Sequence, residues 1–211
     1  MSLSKRQRIL ISSMGRSGST WLTNLLSLDR HFQVVFEPFF PAKVKEAVPF
    51  GYYRYLTKEV KSVELLEAAS KIFDGKVKNN WTKRDYSGEG EGLMIKSIRA
   101  NLMISWVNHH FPDIKTILLV RDPFQVASSW ERLGWGKIPF SDSTDLEVIL
   151  NQTQLINDYP KLTQIRKSIN LKNSFEAVIL EWCILNYIPL IQLKNGLSSF
   201  LLVNYRSEER R

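Results

Sequence analysis

The sequence has very few residues that form disulfides or bind metals, with one cysteine, Cys183, and three histidines among 211 residues. A lone cysteine excludes an internal disulfide, and no Cys, His or Asp cluster has zinc or calcium spacing. Apolar runs that approach the ~20 residues needed to span a bilayer are missing, as are a signal peptide, repeats and low-complexity segments. We therefore expect one globular domain over residues 1–211, in the cytoplasm, with Cys183 buried in the core.

Negative charge is also scarce, because 29 Lys and Arg against 21 Asp and Glu give a net charge of +8. This balance suits an anionic ligand, a nucleic acid or an acidic surface, and equally a basic face exposed to solvent. The basic residues are spread along the chain, whereas nucleic-acid binders usually carry a denser basic stripe. We expect no nucleic-acid partner, and the pattern does not indicate an oligomeric state.

Apolar runs of strand length alternate along the chain with segments of helical periodicity. The predicted strands are residues 8–13, 33–36, 93–97, 116–120 and 200–203, and the predicted helices are residues 19–28, 57–73, 102–111, 123–132, 143–159 and 174–193. This alternation predicts an α/β fold with a mainly parallel central sheet flanked by helices. Such sheets bind ligands at the carboxyl ends of their strands, so the residues after each strand are the candidates for function.

The segment Gly15-Arg16-Ser17-Gly18-Ser19-Thr20 joins the first predicted strand to the first predicted helix. Its glycines allow a tight turn that points backbone N–H groups inward, and the start of the helix adds partial positive charge. The segment predicts an anion-binding loop, and a plain turn capped by Ser or Thr is the alternative. A nucleoside-triphosphate loop has lysine after its second glycine, where this chain has Ser19, so a kinase is a weaker interpretation.

A second charged segment, Arg121-Asp122-Pro123, follows the fourth predicted strand and opens a helix that contains Ser129. Arginine can bind a phosphate through two parallel hydrogen bonds, and the turn into the helix would bring Ser129 beside Arg121. The alternative is a structural Arg121–Asp122 pair, with Pro123 starting the helix.

Together the two segments resemble motifs of sulfotransferases that use 3′-phosphoadenosine-5′-phosphosulfate (PAPS). The residues from Gly15 to Trp21 resemble the 5′-phosphosulfate loop of that family, and Arg121-Asp122-Pro123 with Ser129 resembles its 3′-phosphate motif. The Gly15-Arg16-Ser17-Gly18-Ser19 form, with Phe36-Glu37-Pro38 following, resembles the carbohydrate and bacterial branches more than the cytosolic phenol sulfotransferases. The resemblance implies a P-loop-like three-layer fold and transfer of a sulfuryl group from PAPS to a hydroxyl or amine. It also implies an acceptor such as a carbohydrate or small-molecule alcohol, and no metal ion.

The resemblance assigns cofactor-binding roles to residues after the first, fourth and fifth strands. These residues are Gly15, Arg16, Ser17, Gly18, Ser19, Thr20, Trp21, Arg121, Ser129 and Tyr205. Arg16 matches the basic residue that contacts the 5′-phosphosulfate, and Arg121 and Ser129 match the ligands of the 3′-phosphate. Trp21 matches an aromatic residue that stacks on adenine, with a core position in the first helix as the alternative, and Tyr205 resembles a tyrosine near adenine.

For catalysis the resemblance points to Glu37, Arg16 and Lys96. Lys96 lies where some members have a lysine near the transferred group, but the catalytic histidine of cytosolic members is replaced by Ile98. Glu37 matches the glutamate that serves as base in carbohydrate and bacterial enzymes, and its alternative role is a charge that solvates the turn. His109 and His110 are expected to close a helix, where cations are favoured.

The family usually continues past the last strand into a basic glycine loop that clasps the 3′-phosphate. Because this chain stops at Arg211, we expect the C-terminal part to be short or missing. Two other functions stay open at this point: a P-loop nucleotide or small-molecule kinase, and a non-catalytic binder of sulfated or phosphorylated polymers.

Overall fold

A computed structural model describes residues 6–83, 90–135, 145–168 and 174–206. Within these ranges the chain forms a five-stranded, all-parallel sheet in the order β2-β3-β1-β4-β5. The strands are β1 (Arg8–Ser13), β2 (Phe32–Phe36), β3 (Gly92–Ser97), β4 (Ile114–Arg121) and β5 (Leu201–Tyr205). The structure thus confirms the predicted α/β fold and all five predicted strands.

Helices connect the strands. They are α1 (Ser19–Leu26), α2 (Val63–Phe73), α3 (Ile104–His110), α4 (Pro123–Arg132), α5 (Asp145–Leu150), α6 (Thr153–Asp158), α7 (Lys161–Ser168) and α8 (Ser174–Lys194), with 3₁₀ turns at Lys45–Phe50 and Asn101–Met103. The sequence did not predict α7 or the first 3₁₀ turn. His109 and His110 lie in the last turn of α3, as predicted.

Two predicted helices have different bounds in the structure. The helix predicted over residues 57–73 starts only at Val63, because Ser62 caps it by accepting a hydrogen bond from the Leu65 N–H at 3.4 Å. The helix predicted over 143–159 is broken between α5 and α6 within its described part. Gln152 has an extended backbone there, and its side-chain amide bonds the backbone of Tyr53 and Tyr55.

Apolar residues cover both faces of the sheet, as expected for parallel strands. Leu10 and Ile95 belong to a core cluster with α2 and α3, whereas Ile9 and Ile11 belong to a second cluster with Leu22 of α1. A third cluster joins the side chains of α4, α5 and α8.

The long helix α8 corrects two sequence-based expectations. Its Phe175–Lys194 stretch is long and apolar enough, by length and composition, to cross a membrane, with a mean hydropathy of 1.3. Half of that stretch is buried within the protein, including Glu181 and Leu185, which is the pattern of a core helix. Cys183 is exposed, so its predicted burial is wrong. It lies on the outer side of a helix that buries the opposite side.

Candidate functional site

The strand order places the candidate residues in a row at the carboxyl edge of the sheet. Glu37 follows β2, Lys96 lies near the end of β3, the loop with Arg16 follows β1, and Arg121 and Tyr205 end β4 and β5. The direction of chain progression reverses around β1, so this edge is the topological switch point where parallel sheets bind ligands. The loop therefore lies at the centre, with Glu37 to one side and Arg121 to the other.

The central loop has the geometry of an anion-binding turn. Gly18 adopts a left-handed conformation (φ 93°) at the start of α1, and no side chain caps that helix. A Cβ atom on Gly18 would lie 3.0 Å from the Tyr205 ring, so close packing as well as φ requires glycine. The first N–H groups of α1 are thus free of side-chain caps, and the alternative of a turn capped by Ser or Thr is wrong.

Arg16, Ser129 and Arg121 are joined in one network around this loop. Arg16 donates from Nε to Ser129 Oγ at 3.0 Å, and Arg121 donates from Nη1 to the Arg16 carbonyl at 3.0 Å. Arg121 also donates from Nε to Gln125. Because Asp122 instead caps α4 by accepting from the Gln125 N–H at 3.0 Å, the alternative Arg121–Asp122 pair is not formed.

Two aromatic residues lie on the same side of the loop. The Arg121 guanidinium lies 5.2 Å from the centroid of the Tyr205 ring, and Trp21 packs edge-on against that ring at 5.3 Å. Trp21 is 52% exposed, so the alternative that it is a core residue is wrong. The structure thus brings Arg16, Trp21, Arg121, Ser129 and Tyr205 together around a turn with free N–H groups, although their roles remain predictions.

The loop also meets a test of fit for a 5′-phosphosulfate. Ser17 Oγ is buried and has no hydrogen-bond partner among the described residues. A buried hydroxyl without a partner is costly, and a phosphosulfate oxygen would supply one. We also find no group of three or more His, Cys, Asp or Glu residues placed to hold a metal in the described ranges.

On the other side of the loop, Glu37 is buried and bound by three donors. Lys96 Nζ lies 2.9 Å from Oε1, the Ile98 N–H lies 3.0 Å from Oε2, and Arg99 Nη1 lies 3.4 Å from Oε2. Glu37 and Lys96 are 2% and 5% exposed, so the alternative of a solvated turn charge is wrong. The Ile98 nitrogen also lies 3.2 Å from Oε1, so both carboxylate oxygens accept from this N–H.

Two of the candidate catalytic residues have a strained backbone. Among the described non-glycine residues, those with positive φ are Arg16 (69°), Arg30 (57°), Glu37 (44°) and Tyr53 (51°). Such conformations cost about 1–3 kcal/mol each and persist where the surrounding structure enforces them, often at functional sites. Arg16 and Glu37 are both candidate catalytic residues, and Tyr53 lies beside Arg99.

Sequence reasoning missed a polar cluster next to Glu37. Arg99 stacks on Phe40 at 4.1 Å and lies 5.9 Å from the Tyr53 ring, and the Tyr53 hydroxyl is 3.4 Å from Asp145 Oδ2. Burial raises the pKa of Asp145, and the positive charge of Arg99 opposes this rise.

Glu181 of α8 belongs to the same cluster. Burial, followed by the negative charge of Asp145, raises the pKa of Glu181 well above its ordinary value of 4.5. Its Oε1 atom has no partner among the described residues. One signal was visible in the sequence, because Glu181 is a charged residue within a strongly apolar helix, where burial needs a reason.

This burial predicts how a Glu181→Gln variant responds to pH. Above pH 4.5 the unfolded chain releases a proton that buried Glu181 retains, so Glu181 lowers stability progressively as the pH rises. Glutamine keeps the shape and cannot ionise, and each unit of raised pKa corresponds to about 1.36 kcal/mol. We expect the variant to gain stability over the natural chain at pH 8 and little at pH 4.5, measured by urea unfolding. A gain independent of pH would contradict the buried ionisable carboxyl.

Taken together, the structure defines an α/β protein with a strand–loop–helix of anion-binding geometry at the switch point of a parallel sheet. The chain belongs to the sulfotransferase family, because the model of that family matches residues 8–177. The crystal structure of a sulfotransferase from Alicyclobacillus acidocaldarius is similar with a TM-score of 0.45 and 16% identity, over 94% of this chain and 73% of that one. No curated protein matches the chain.

Proposed function

We propose that this sulfotransferase uses PAPS as its donor and transfers the sulfuryl group in line to a hydroxyl or amine of an acceptor. The observation that carries the proposal is the network of Arg16, Ser129 and Arg121 around a turn whose helix N-terminus has no side-chain cap. Two guanidinium groups and free N–H groups suit a ligand with separate 5′ and 3′ anionic groups. A nucleoside triphosphate suits the loop less well, because the lysine that binds it in nucleoside-triphosphate loops is replaced here by Ser19.

The nucleotide is expected to lie over the loop and towards β4 and β5. Arg16 and the N–H groups of residues 18–20 would hold the 5′-phosphosulfate, since the Ser17 N–H already donates to the Met14 carbonyl, and Arg121 with Ser129 would hold the 3′-phosphate. Trp21 and Tyr205 form an aromatic surface beside Arg121 that suits adenine. When bound, PAPS supplies the sulfuryl group, whose bond to the bridging oxygen breaks as the acceptor atom bonds to sulfur.

The residues of the chain would supply positioning, charge stabilisation and a base, which dominate related phosphoryl transfers. Glu37 takes the proton from the attacking hydroxyl. Arg16, the loop N–H groups and Lys96 stabilise the negative charge that grows on the leaving oxygen. Lys96 contacts Glu37 directly at 2.9 Å, so base and cation adjoin each other.

The acceptor is expected to enter on the Glu37 side, where Arg99, Tyr53 and Asp145 line the polar cluster. A carbohydrate or a small-molecule alcohol, and a cytoplasmic location, remain our predictions. The aromatic side chains around Arg99, Phe40 and Tyr52, provide an apolar surface for such an acceptor.

Adenosine 3′,5′-bisphosphate should stabilise the protein without Mg²⁺, and ATP should do so less. A ligand that binds only the folded state adds about 2.7 kcal/mol at a hundredfold excess over its Kd, which a thermal-shift assay detects. Adenosine 5′-phosphate is the matched control for the 3′-phosphate. A larger shift with ATP and Mg²⁺ than with adenosine 3′,5′-bisphosphate would favour the kinase alternative and contradict the proposal.

A further inference from the structure

The loop after β1 begins with a tight turn over residues 14–17. The Ser17 N–H donates to the Met14 carbonyl at 3.2 Å and closes the turn, whose two central residues are Gly15 and Arg16. Arg16 has a positive φ of 69°, whereas Gly15 is not among the described residues with positive φ. This combination defines a type II β-turn, which differs from type I in the orientation of the peptide between its central residues.

The order of the two central residues is unfavourable for a type II turn. Such a turn needs positive φ at its third position, where glycine is preferred, but here glycine is second and Arg16 is third. A type I turn would give Arg16 an ordinary negative φ. The change from type II to type I rotates the central peptide by roughly 150–170° and keeps the closing hydrogen bond. Since the local sequence favours type I, a contact from outside the turn is needed to select type II.

Trp130 of α4 makes that contact. Its indole N–H donates to the Gly15 carbonyl at 3.1 Å, and this carbonyl belongs to the peptide that the rotation would turn. Trp130 is 6% exposed, and its ring packs edge-on against Trp135 with the centroids 5.6 Å apart. The donor is therefore fixed in place, and rotation of the peptide would leave a buried indole N–H without its acceptor, which is unfavourable.

The orientation of this peptide decides which backbone group an anion meets. The C=O and N–H of a trans peptide point in opposite directions, so the Arg16 N–H points away from Trp130. No acceptor for that N–H occurs in the described part of the chain. After rotation the Gly15 carbonyl oxygen would take its place, and a carbonyl oxygen repels an anion where an N–H group attracts one.

We propose that Trp130 is a positioning residue, which holds the peptide between Gly15 and Arg16 in the type II orientation and so presents the Arg16 N–H to the 5′-phosphosulfate. The identity of this anion rests on the proposed function, whereas the selection of the turn does not. Trp130 acts through the backbone and does not itself contact the ligand.

NMR on the ligand-free full chain tests the selection of the turn. In a type II turn the Gly15 α-protons lie close to the Arg16 amide proton, whereas in a type I turn the two amide protons lie close together. We expect a strong α-proton to amide nuclear Overhauser effect in the natural chain and a strong amide to amide effect in Trp130→Phe, which keeps a ring but has no donor. A natural chain with the type I pattern, or a Trp130→Phe variant with the type II pattern, would overturn the proposal.

Trp106→Phe is the matched control for this variant. Trp106 is fully buried, and its indole N–H donates to the Val60 carbonyl at 2.9 Å, outside the crevice. The two substitutions therefore remove the same kind of buried hydrogen bond. Trp106→Phe should retain the type II pattern, and a change of the turn in this control as well would mean that general loosening of the fold, not the bond to Gly15, is the cause.

Calorimetry measures the consequence for binding. Trp130→Phe should weaken adenosine 3′,5′-bisphosphate and adenosine 5′-phosphate equally, by about tenfold, because both place a 5′-phosphate on the loop, and Trp106→Phe should bind both normally. Undiminished affinity of Trp130→Phe would overturn the proposal. If the natural chain bound neither nucleotide, the proposed donor would be wrong, and the NMR comparison would still decide whether Trp130 selects the turn.

A double variant separates the hydrogen bond from the packing of the ring. Glycine adopts positive φ without steric cost, so Arg16→Gly should favour the type II turn without help from Trp130. In that background Trp130→Phe should leave the NMR pattern of the turn unchanged. A switch to type I there would show that the ring shapes the loop by packing alone, and would overturn the proposal.

Discussion

Replacement of Glu37 by Gln is expected to reduce turnover by roughly 10²–10⁴-fold and to leave the affinity for adenosine 3′,5′-bisphosphate nearly unchanged. Glutamine retains the volume of Glu37 but cannot accept a full proton. Glu37 follows β2, two strands away from β1 and its loop. We therefore expect it to face the acceptor and not the nucleotide. The measurement pairs steady-state rates, with any accepted substrate, and calorimetric affinity for the nucleotide.

This variant also removes a charge from a buried ion pair, so its fold must be measured as well. Lys96 would lose its partner at 2.9 Å, and loss of one member of a buried pair can cost 3–5 kcal/mol. Glu67→Gln, on the exposed side of α2, is the control for a glutamate without such contacts. Combined loss of turnover, nucleotide affinity and stability would mean that Glu37 is structural.

Near-normal turnover of the Glu37→Gln variant would exclude Glu37 as the base. Attention would then move to Asp145, the part-buried carboxyl near Arg99 whose pKa burial raises. His109 and His110 are poor candidates for the base. The end of α3 leads into the start of β4, which lies at the amino edge of the sheet, opposite Glu37 and the loop after β1. The sequence alone did not exclude them.

The sequence predicted the sheet and the position of the loop after β1 because their signals are local. The apolar residues of β1, the glycines after it and the helix pattern beyond them are contiguous, and their order fixes where the loop lies. Arg121 could be identified as a candidate site residue for the same reason, since it ends a strand. The start of α2 was misplaced because helical periodicity extends upstream of Ser62, whose cap decides the boundary.

The contacts of the polar cluster beside Glu37 were not predicted because they join distant segments. Tyr53 and Asp145 lie 92 residues apart in the chain, yet their polar atoms are 3.4 Å apart. Arg99 follows β3, and its stacking on Phe40 depends on how the segment after β2 returns over the sheet. The burial of Cys183 was wrongly predicted for a related reason, since apolar neighbours along a helix do not reveal which side of the helix is buried.

Arg121→Ala is the second change for which we expect a large effect, this time on binding. It should weaken adenosine 3′,5′-bisphosphate by about 10- to 100-fold and adenosine 5′-phosphate far less. Hydrogen bonds to charged groups contribute about 1.5–3 kcal/mol, and only the bisphosphate carries the 3′-phosphate that Arg121 would bind. Calorimetry with both nucleotides measures the difference, and Arg132→Ala, which removes an exposed charge in the last turn of α4, is the matched control.

The comparison of the two nucleotides is needed because Arg121 has a second contact. It donates to the Arg16 carbonyl at 3.0 Å and therefore also supports the backbone of the anion-binding loop. If that support is its main role, Arg121→Ala will weaken both nucleotides equally, since both place a 5′-phosphate on the loop. A selective loss for the bisphosphate requires contact with the 3′-phosphate itself. Gln125→Ala, which removes the partner of Arg121 Nε, should then give a smaller loss with the same selectivity, because the guanidinium remains but is less well oriented.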